Sequence, residues 1–257
     1  MRLEELNHLH LEDIKNENHP SAFFETKEYK VLILRFFNGK KHKLDVFSLG
    51  FVIDQNHNFF YFDKKNGILK KISLKEFYIF VDDMIDDGVT YLDQLIKKTE
   101  DLEESIFENP NTMKNWFELK KQIARIERLL IHILKIEEQF YKKMSILEDD
   151  PNLQAGFEDI DEHLNRALRA SQATNLKLDH IFNLRNALVG EKTNRVIYLL
   201  TVISAVFLPL NLLVGFFGMN TGGLYLSEDP NGTMIVAGIL SMLVLSMSLL
   251  FMKKRWI

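Results

Sequence analysis

Seven residues spaced alternately three and four apart, Asn194, Ile197, Thr201, Ser204, Leu208, Asn211 and Gly215, fall on one stripe of a helix that is otherwise apolar. The stripe collects Thr201, Ser204 and Asn211, and Gly215 is the sole glycine of residues 196–217. Uncharged hydroxyl and amide oxygens on successive turns can bond a neighbouring helix, or they can face water and ease the passage of a polar solute. In hydrocarbon each needs a protein partner or water. Helix–helix packing also gathers Ser, Thr, Asn and Gly, so periodicity alone leaves both readings open. Continued backwards, the stripe passes through Leu176, His180, Asn183, Ala187 and Gly190, which are mostly small or polar.

The elements that would carry such a stripe lie at the end of the chain. Residues 196–217 and 234–252 are apolar spans joined by the short segment 218–233, and about 20 apolar residues cross a hydrocarbon core of about 30 Å. The second span has only Ser241, Ser246 and Ser248 as polar side chains, which can bond back to their own helix, and it reads as a lipid-facing outer ring. Lys192 and Arg195 precede the first span and Lys253, Lys254 and Arg255 follow the second, whereas 218–233 holds no Lys or Arg. The positive-inside rule puts both termini in the cytoplasm and the connecting loop outside. Two spans cannot enclose an ion path alone, so a conducting unit would have to be an oligomer.

Composition conceals this, because 46% hydrophobic residues and a slightly negative mean hydropathy suit a soluble protein. A net charge of −4 gives no case for nucleic acid, and zero cysteines exclude disulfides and thiolate metal sites. Residues 1–20 contain no apolar stretch, so no cleavable export signal is expected and the first domain should be cytoplasmic.

Residues 1–88 read as a mixed α/β domain, with strand-like runs at 31–37, 44–54, 58–62 and 68–72 and turn signals at Asn38-Gly39 and Asn66-Gly67. Helical period is expected from Val89, giving an antiparallel helical hairpin over 89–150 with a break at Asn109-Pro110-Asn111. One long stalk helix is expected over 151–195, running straight into the first span. Leu164, Leu168, Ser171, Asn175, Leu178, Phe182, Arg185 and Val189 on it keep heptad spacing, and their polar members suggest the inside of an oligomeric funnel. The acid runs at 82–87 and 148–150 could gather cations, but acid runs at helix starts are more often solvated and favoured by the dipole. The eight histidines read as surface or packing residues, with His180 a candidate for the funnel lining.

Five motifs in order carry a family resemblance. Residues 157–164, Phe-Glu-Asp-Ile-Asp-Glu-His-Leu, resemble the run that opens the stalk helix of the CorA family of divalent-cation channels and transporters. Thr193-Asn194-Arg195-Val196 resembles that family's membrane approach, and Phe207-Leu208-Pro209-Leu210-Asn211 its mid-span motif. Gly218-Met219-Asn220 is identical to its signature, and residues 253–257 are similar to its basic-aromatic ending. The resemblance favours the pore reading of the stripe. It implies an α+β cytoplasmic domain, a stalk helix, a pore-lining first transmembrane helix and an outer second one, with a basic tail at 253–257, assembled as a funnel-shaped homopentamer in the inner membrane. No enzymatic activity is expected.

Carried over by position, Gly218, Met219 and Asn220 would form the selectivity filter, with five uncharged amide oxygens suited to an ion that keeps its water. Asn194, Ile197, Leu200, Thr201, Ser204, Leu208, Asn211 and Gly215 would line the pore, the aliphatic members gating by dewetting. Asp159 would be the inter-subunit regulatory acid on which cytoplasmic Mg²⁺ closes the channel. Glu228 and Asp229, the only charges of the loop, would concentrate cations at the outer mouth. The expected cargo is Mg²⁺, with Co²⁺ or Ni²⁺ beside it. Zn²⁺ is the alternative, because Thr221-Gly222-Gly223-Leu224 resembles the zinc-transporting branch. A non-conducting membrane scaffold or sensor is the reading from another class.

Overall fold

Five strands, β1 (Ala22–Glu25), β2 (Tyr29–Lys40), β3 (Lys43–Asp54), β4 (Phe59–Asp63) and β5 (Ile68–Ile72), pair in sequence order as an antiparallel meander. They belong to a computed structural model that describes residues 2–40, 43–105, 112–144, 151–219 and 230–253. The chain divides into two units, Met1–Asn183 and Leu184–Ile257.

Both faces of the sheet are covered, which is why β2 reads as a continuous apolar run instead of an alternating one. Leu32, Leu34 and Phe36 point into the main core, shared with the long helices. Val31 and Ile33 point the other way, with Val52, Phe60 and Phe62, towards Ile14 of the short helix α1 (His8–Lys15).

The turn expected at Asn38-Gly39 is not there. Both residues lie inside β2, opposite Asp45 and Leu44, and the pairing continues to Lys40 and Lys43. Glycine is required at 39 for a different reason, since a Cβ would collide with the ring of Tyr91. That ring is buried, and its hydroxyl donates to Gln122 Oε1 at 2.6 Å. Asn66-Gly67 does turn, with Gly67 at φ 63° and its N–H donating to the Asp63 carbonyl at 2.8 Å.

Three long helices follow: α2 (Leu74–Ser105), α3 (Thr112–Lys143) and α4 (Pro151–Phe217). Helical period was expected from Val89, but α2 begins at Leu74, and Phe77, Val81, Ile85 and Gly88 belong to its buried face. Its start is set by a capping box: Ser73 Oγ accepts from the Glu76 N–H at 3.1 Å, and the Glu76 carboxylate accepts from the Ser73 N–H at 2.6 Å. Residues 82–87 therefore lie in mid-helix, where the N-terminal dipole argument does not reach. The expected break at 109–111 and the acids at 148–150 lie outside the described residues.

Within the first unit, α4 packs against the chain's own α2 and α3. Phe157, Ile160, Leu164, Leu178 and Ile181 are buried in the main core. Ser171 is fully buried with its Oγ donating to the Leu168 carbonyl, and the Asn175 amide donates to Glu127 Oε2 of α3 at 2.8 Å. These two heptad positions, expected to line an oligomeric interior, instead face a neighbour in the same chain. Trp116 of α3 fixes the register by donating from Nε1 to the Leu178 carbonyl at 2.7 Å and stacking on Phe182 at 4.9 Å. Leu176, His180 and Asn183 stay exposed.

The second unit holds the rest of α4, with Pro209 inside it, and α5 (Gly232–Lys253), 22 residues long. Among the described residues one helix, residues 154–217, is long and apolar enough to cross a membrane, and Gly232–Met247 is a shorter apolar stretch.

Phe77 is the aromatic centre of the first unit. It meets Phe51 edge-on at 4.9 Å and Phe59 at 5.0 Å, and it reaches Phe140 of α3 and Phe157 of α4 at 5.8 and 6.2 Å. Phe77→Ala should cost about 3–5 kcal/mol, read as a lower unfolding midpoint of the purified chain, with Phe77→Leu losing far less. Equal midpoints for Phe77→Ala and the wild type would show that the sheet and helices are not joined through this ring.

Candidate functional site

Every position of the polar stripe, from Asn194 to Gly215, is exposed in the single chain, and so is Leu200. Tyr198, Val202, Ala205, Pro209, Leu213 and Phe217, on another face of α4, are half-buried. Val196, Leu199, Ile203, Phe207, Leu212 and Val214, off the stripe, are exposed as well, so the stripe is one part of a broad free surface. Ile197, Leu200 and Leu208 are 56%, 63% and 69% exposed. Thr201 Oγ1 donates to the Ile197 carbonyl at 2.8 Å, so its remaining lone pairs point outward as acceptors. α4 ends at Phe217, and the Gly218 N–H donates to the Val214 carbonyl at 2.8 Å. Met219 is half exposed. Asn220, Glu228 and Asp229 lie outside the described residues.

Asp159 is exposed on α4 and stands one turn from His163, whose Nε2 is 3.7 Å from its carboxylate. The other ring nitrogen of His163 is 3.8 Å from Asp86 of α2. Asp82 joins them, and ligand atoms of Asp82, Asp86 and His163 all lie within 4.8 Å of one another. The logic is two i, i+4 pairs on facing helices, Asp82/Asp86 and Asp159/His163. Close helix approach brings the pairs together, since a Cβ on Gly156 would sit 2.8 Å from the ring of Tyr78. Burial raises the pKa of the Asp82 carboxyl, Asp86 and Asp159 push it the same way, and His163 opposes them. Carboxylate oxygens and one imidazole nitrogen converging at this range are a donor set for a divalent cation.

Sequence reasoning read His163 as a surface or packing residue and the acid run as solvated, with cation binding there as the lesser alternative. The available signal was the i, i+4 spacing on each helix. Which two helices face each other was not available.

The family model described as CorA-like Mg²⁺ transporter protein matches residues 2–255. The chain belongs to the CorA family. It is 22% identical over 266 residues to the cobalt/magnesium transport protein CorA of Thermotoga maritima, covering 96% of this chain and 76% of that protein. It is 25% identical over 180 residues to the zinc transport protein ZntB of Yersinia pseudotuberculosis, covering 67% of this chain and 54% of that one. Among solved structures, the CorA magnesium transporter from Methanocaldococcus jannaschii matches with a TM-score of 0.83 at 18% identity, covering 98% of this chain and 84% of its own. The fold is that of CorA: an α+β domain, a long helix and a second C-terminal helix. The CorA family is one of divalent-cation transporters, not enzymes, and its members here include both magnesium and zinc proteins.

Beside the acid cluster, Glu137 of α3 is half-buried among Ile133, Phe140 and Phe157. Burial pushes its carboxyl up to about 7, and Asp161 and Glu138 add to the shift. Below the unfolded value of about 4.5 both states hold the proton and Glu137 contributes nothing. As pH rises from there to about 7, the folded state keeps a proton that the unfolded chain has lost, so stability falls; above that the penalty is constant. Glu137→Gln should therefore be more stable than wild type at pH about 8 and equal to it near pH about 4. Thermal unfolding across that range tests this, and parallel curves for the two proteins would refute it.

Proposed function

We propose that the chain assembles as a homopentamer in the inner membrane and conducts divalent cations, Mg²⁺ first and Co²⁺ or Ni²⁺ beside it, through a path lined by the stripe of α4. The observation that carries this reading is the register of Asn194, Thr201, Ser204 and Asn211 along one stripe of an otherwise apolar helix that ends just before Gly218-Met219. A helix that only anchors has no reason to keep Asn194, Thr201, Ser204 and Asn211 in register. Lys192 and Arg195 before the first span and Lys253, Lys254 and Arg255 after the second support cytoplasmic termini, with 218–233 outside.

Selectivity falls to Asn220 with Gly218 and Met219. A ring of amide carbonyls carries no net charge, so it contacts the hydration shell without stripping it. That suits Mg²⁺, which dehydrates reluctantly. Asn211 is a second polar ring, and Ile197, Leu200 and Leu208 are apolar constrictions that close by dewetting. Glu228 and Asp229 raise the local cation concentration at the outer mouth, an effect that salt weakens.

Feedback falls to Asp159 together with Asp82, Asp86 and His163. Gathered carboxylates repel until a cation lies between them, so cytoplasmic metal favours the arrangement that holds them together. Zn²⁺ is the second reading of the cargo, supported by the ZntB likeness and by Gly222-Gly223 in the loop. No Asp, Glu or His lies within 196–217 or 234–252, which argues against a side-chain proton relay.

Metal flux into proteoliposomes, compared across Mg²⁺, Zn²⁺, Co²⁺ and Ni²⁺, tests the reading directly. Asn220→Ala should abolish uptake while leaving the oligomer intact; wild-type flux in that variant sinks the pore assignment. Asp159→Ala should weaken inhibition by internal Mg²⁺. His163→Ala should relieve inhibition by Zn²⁺ or Co²⁺ more than by Mg²⁺, because imidazole is a better ligand for the former two. Inhibition curves that superimpose for wild type and both variants would remove the sensing role.

A further inference from the structure

Away from the acid cluster, three arginines converge on a pocket of about 300 Å³ lined by Ser21, Arg35, Arg125, Arg128, Leu129 and His132. Arg125, Arg128, Leu129 and His132 stand at successive i, i+3, i+4 and i+7 positions, one face of α3. Arg35 comes from β2. It lies where β1 has run out, since the last β1–β2 pair is Ala22 with Ile33, and its backbone N–H is taken by Ser21 Oγ at 3.0 Å.

None of the three is in an ion pair with a described residue; the arginine that is paired among the described residues is Arg166, with Glu162. The acid next in sequence, Glu127, is engaged by the Asn175 amide. Arg35 Nε is enclosed without a hydrogen-bond partner. Burial lowers the pKa of the Arg35 guanidinium, and Arg125 beside it adds to the shift. Like charges held together in a concavity, with donors unspent, are a cost that an anion would offset.

The geometry points to a binding site for a polyvalent phosphate, of the diphosphate class, in the pocket of Arg35, Arg125 and Arg128. Each guanidinium offers a fork of N–H donors, and the Ser21 hydroxyl can add one more. A carboxylate has two oxygens and satisfies one fork, whereas a diphosphate has enough oxygens and charge for all three. The acidic side chain of another copy is therefore the weaker match. The phosphate could be free or the end of a nucleotide, and the chemistry of recognition is the same.

The test is calorimetric titration of the full chain in detergent, freed of metal with a chelator so that diphosphate cannot act by sequestering cations, at constant ionic strength. Inorganic diphosphate should bind saturably and sulfate much more weakly. Arg128→Gln should weaken binding about ten-fold, and the Arg125→Gln, Arg128→Gln pair should abolish it. Arg128→Lys keeps the charge but loses the fork, so it should fall between Arg128→Gln and wild type. ADP binding as tightly as diphosphate identifies the terminal phosphates as the whole ligand; ADP binding more tightly identifies a nucleotide. The proposal is overturned if diphosphate gives no saturable heat, or if the double variant binds it like wild type. Loss of the oligomer in the double variant, with no anion binding in the wild type, would assign the arginines to acids of a neighbouring copy.

Discussion

The seam of α4 against α2 and α3 fixes the positions of the acid cluster, because two of its members ride on α4 and two on α2. Phe157, Ile160, Leu164, Leu178 and Ile181 bury that seam. Each such side chain contributes about 1.5–3 kcal/mol on burial, against about 0.5–1.5 for a typical hydrogen bond. Apolar burial therefore holds the helix, while the bond from Trp116 to the Leu178 carbonyl selects its rotation and register. Without that hold, Asp159 on α4 would draw away from Asp82 and Asp86 on α2 and relieve part of their repulsion. The raised pKa of Asp82, from burial first and the other carboxylates second, registers the conflict that packing imposes.

Local signals were legible in the sequence where local chemistry decided them. Gly67 turns because glycine adopts φ 63° without steric cost, and β5 begins at Ile68 as expected. The stripe of α4 follows from spacing alone, because 3.6 residues per turn is a property of any helix. Asn38-Gly39 misled because the reason for that glycine is Tyr91 of α2, a contact far along the chain that mimics a turn signal. The heptads through Ser171 and Asn175 misled in a related way. A heptad says that a helix packs on another helix, and it does not say whether the partner lies in the same chain. Here the partner is α3, through Glu127. The contact of His163 with Asp86 could not be read either, since it depends on a pairing of helices that neither local segment contains.

Two different chemistries of metal contact would coexist on α4. The stripe offers hydroxyl and amide oxygens without charge, which in the proposed path would discriminate by the size and firmness of a hydration shell. The cluster of Asp82, Asp86 and His163 gathers carboxylate oxygens and one imidazole nitrogen within 4.8 Å; in the proposed sensing role such donors would discriminate by direct coordination and favour Zn²⁺, Co²⁺ or Ni²⁺ over Mg²⁺ at equal concentration. The two need not rank metals alike. A path indifferent to softness with a sensor that prefers borderline ions would pass Mg²⁺ freely and shut against scarcer, more tightly held metals. On the proposed function, such a division would separate what is carried from what is sensed.

The first unit places opposite charges at two separate corners. Acids gather where α2 meets α4, and arginines gather where β2 meets α3. A net charge of −4 over 257 residues gives no hint of either, because the charges cancel in the sum and not in space. Pairing the two groups with each other would have removed both costs. The fold keeps them apart instead, each with like charges side by side; Asp82 and Arg35 are half-buried, while Asp86, Asp159, Arg125 and Arg128 stay exposed and are screened by water. Such an arrangement is stable only as long as apolar burial elsewhere exceeds the repulsion, and it is relieved when a counter-ion arrives. On the proposed roles, a counter-ion would stabilise the unit at either corner, a cation at the acids and an anion at the arginines.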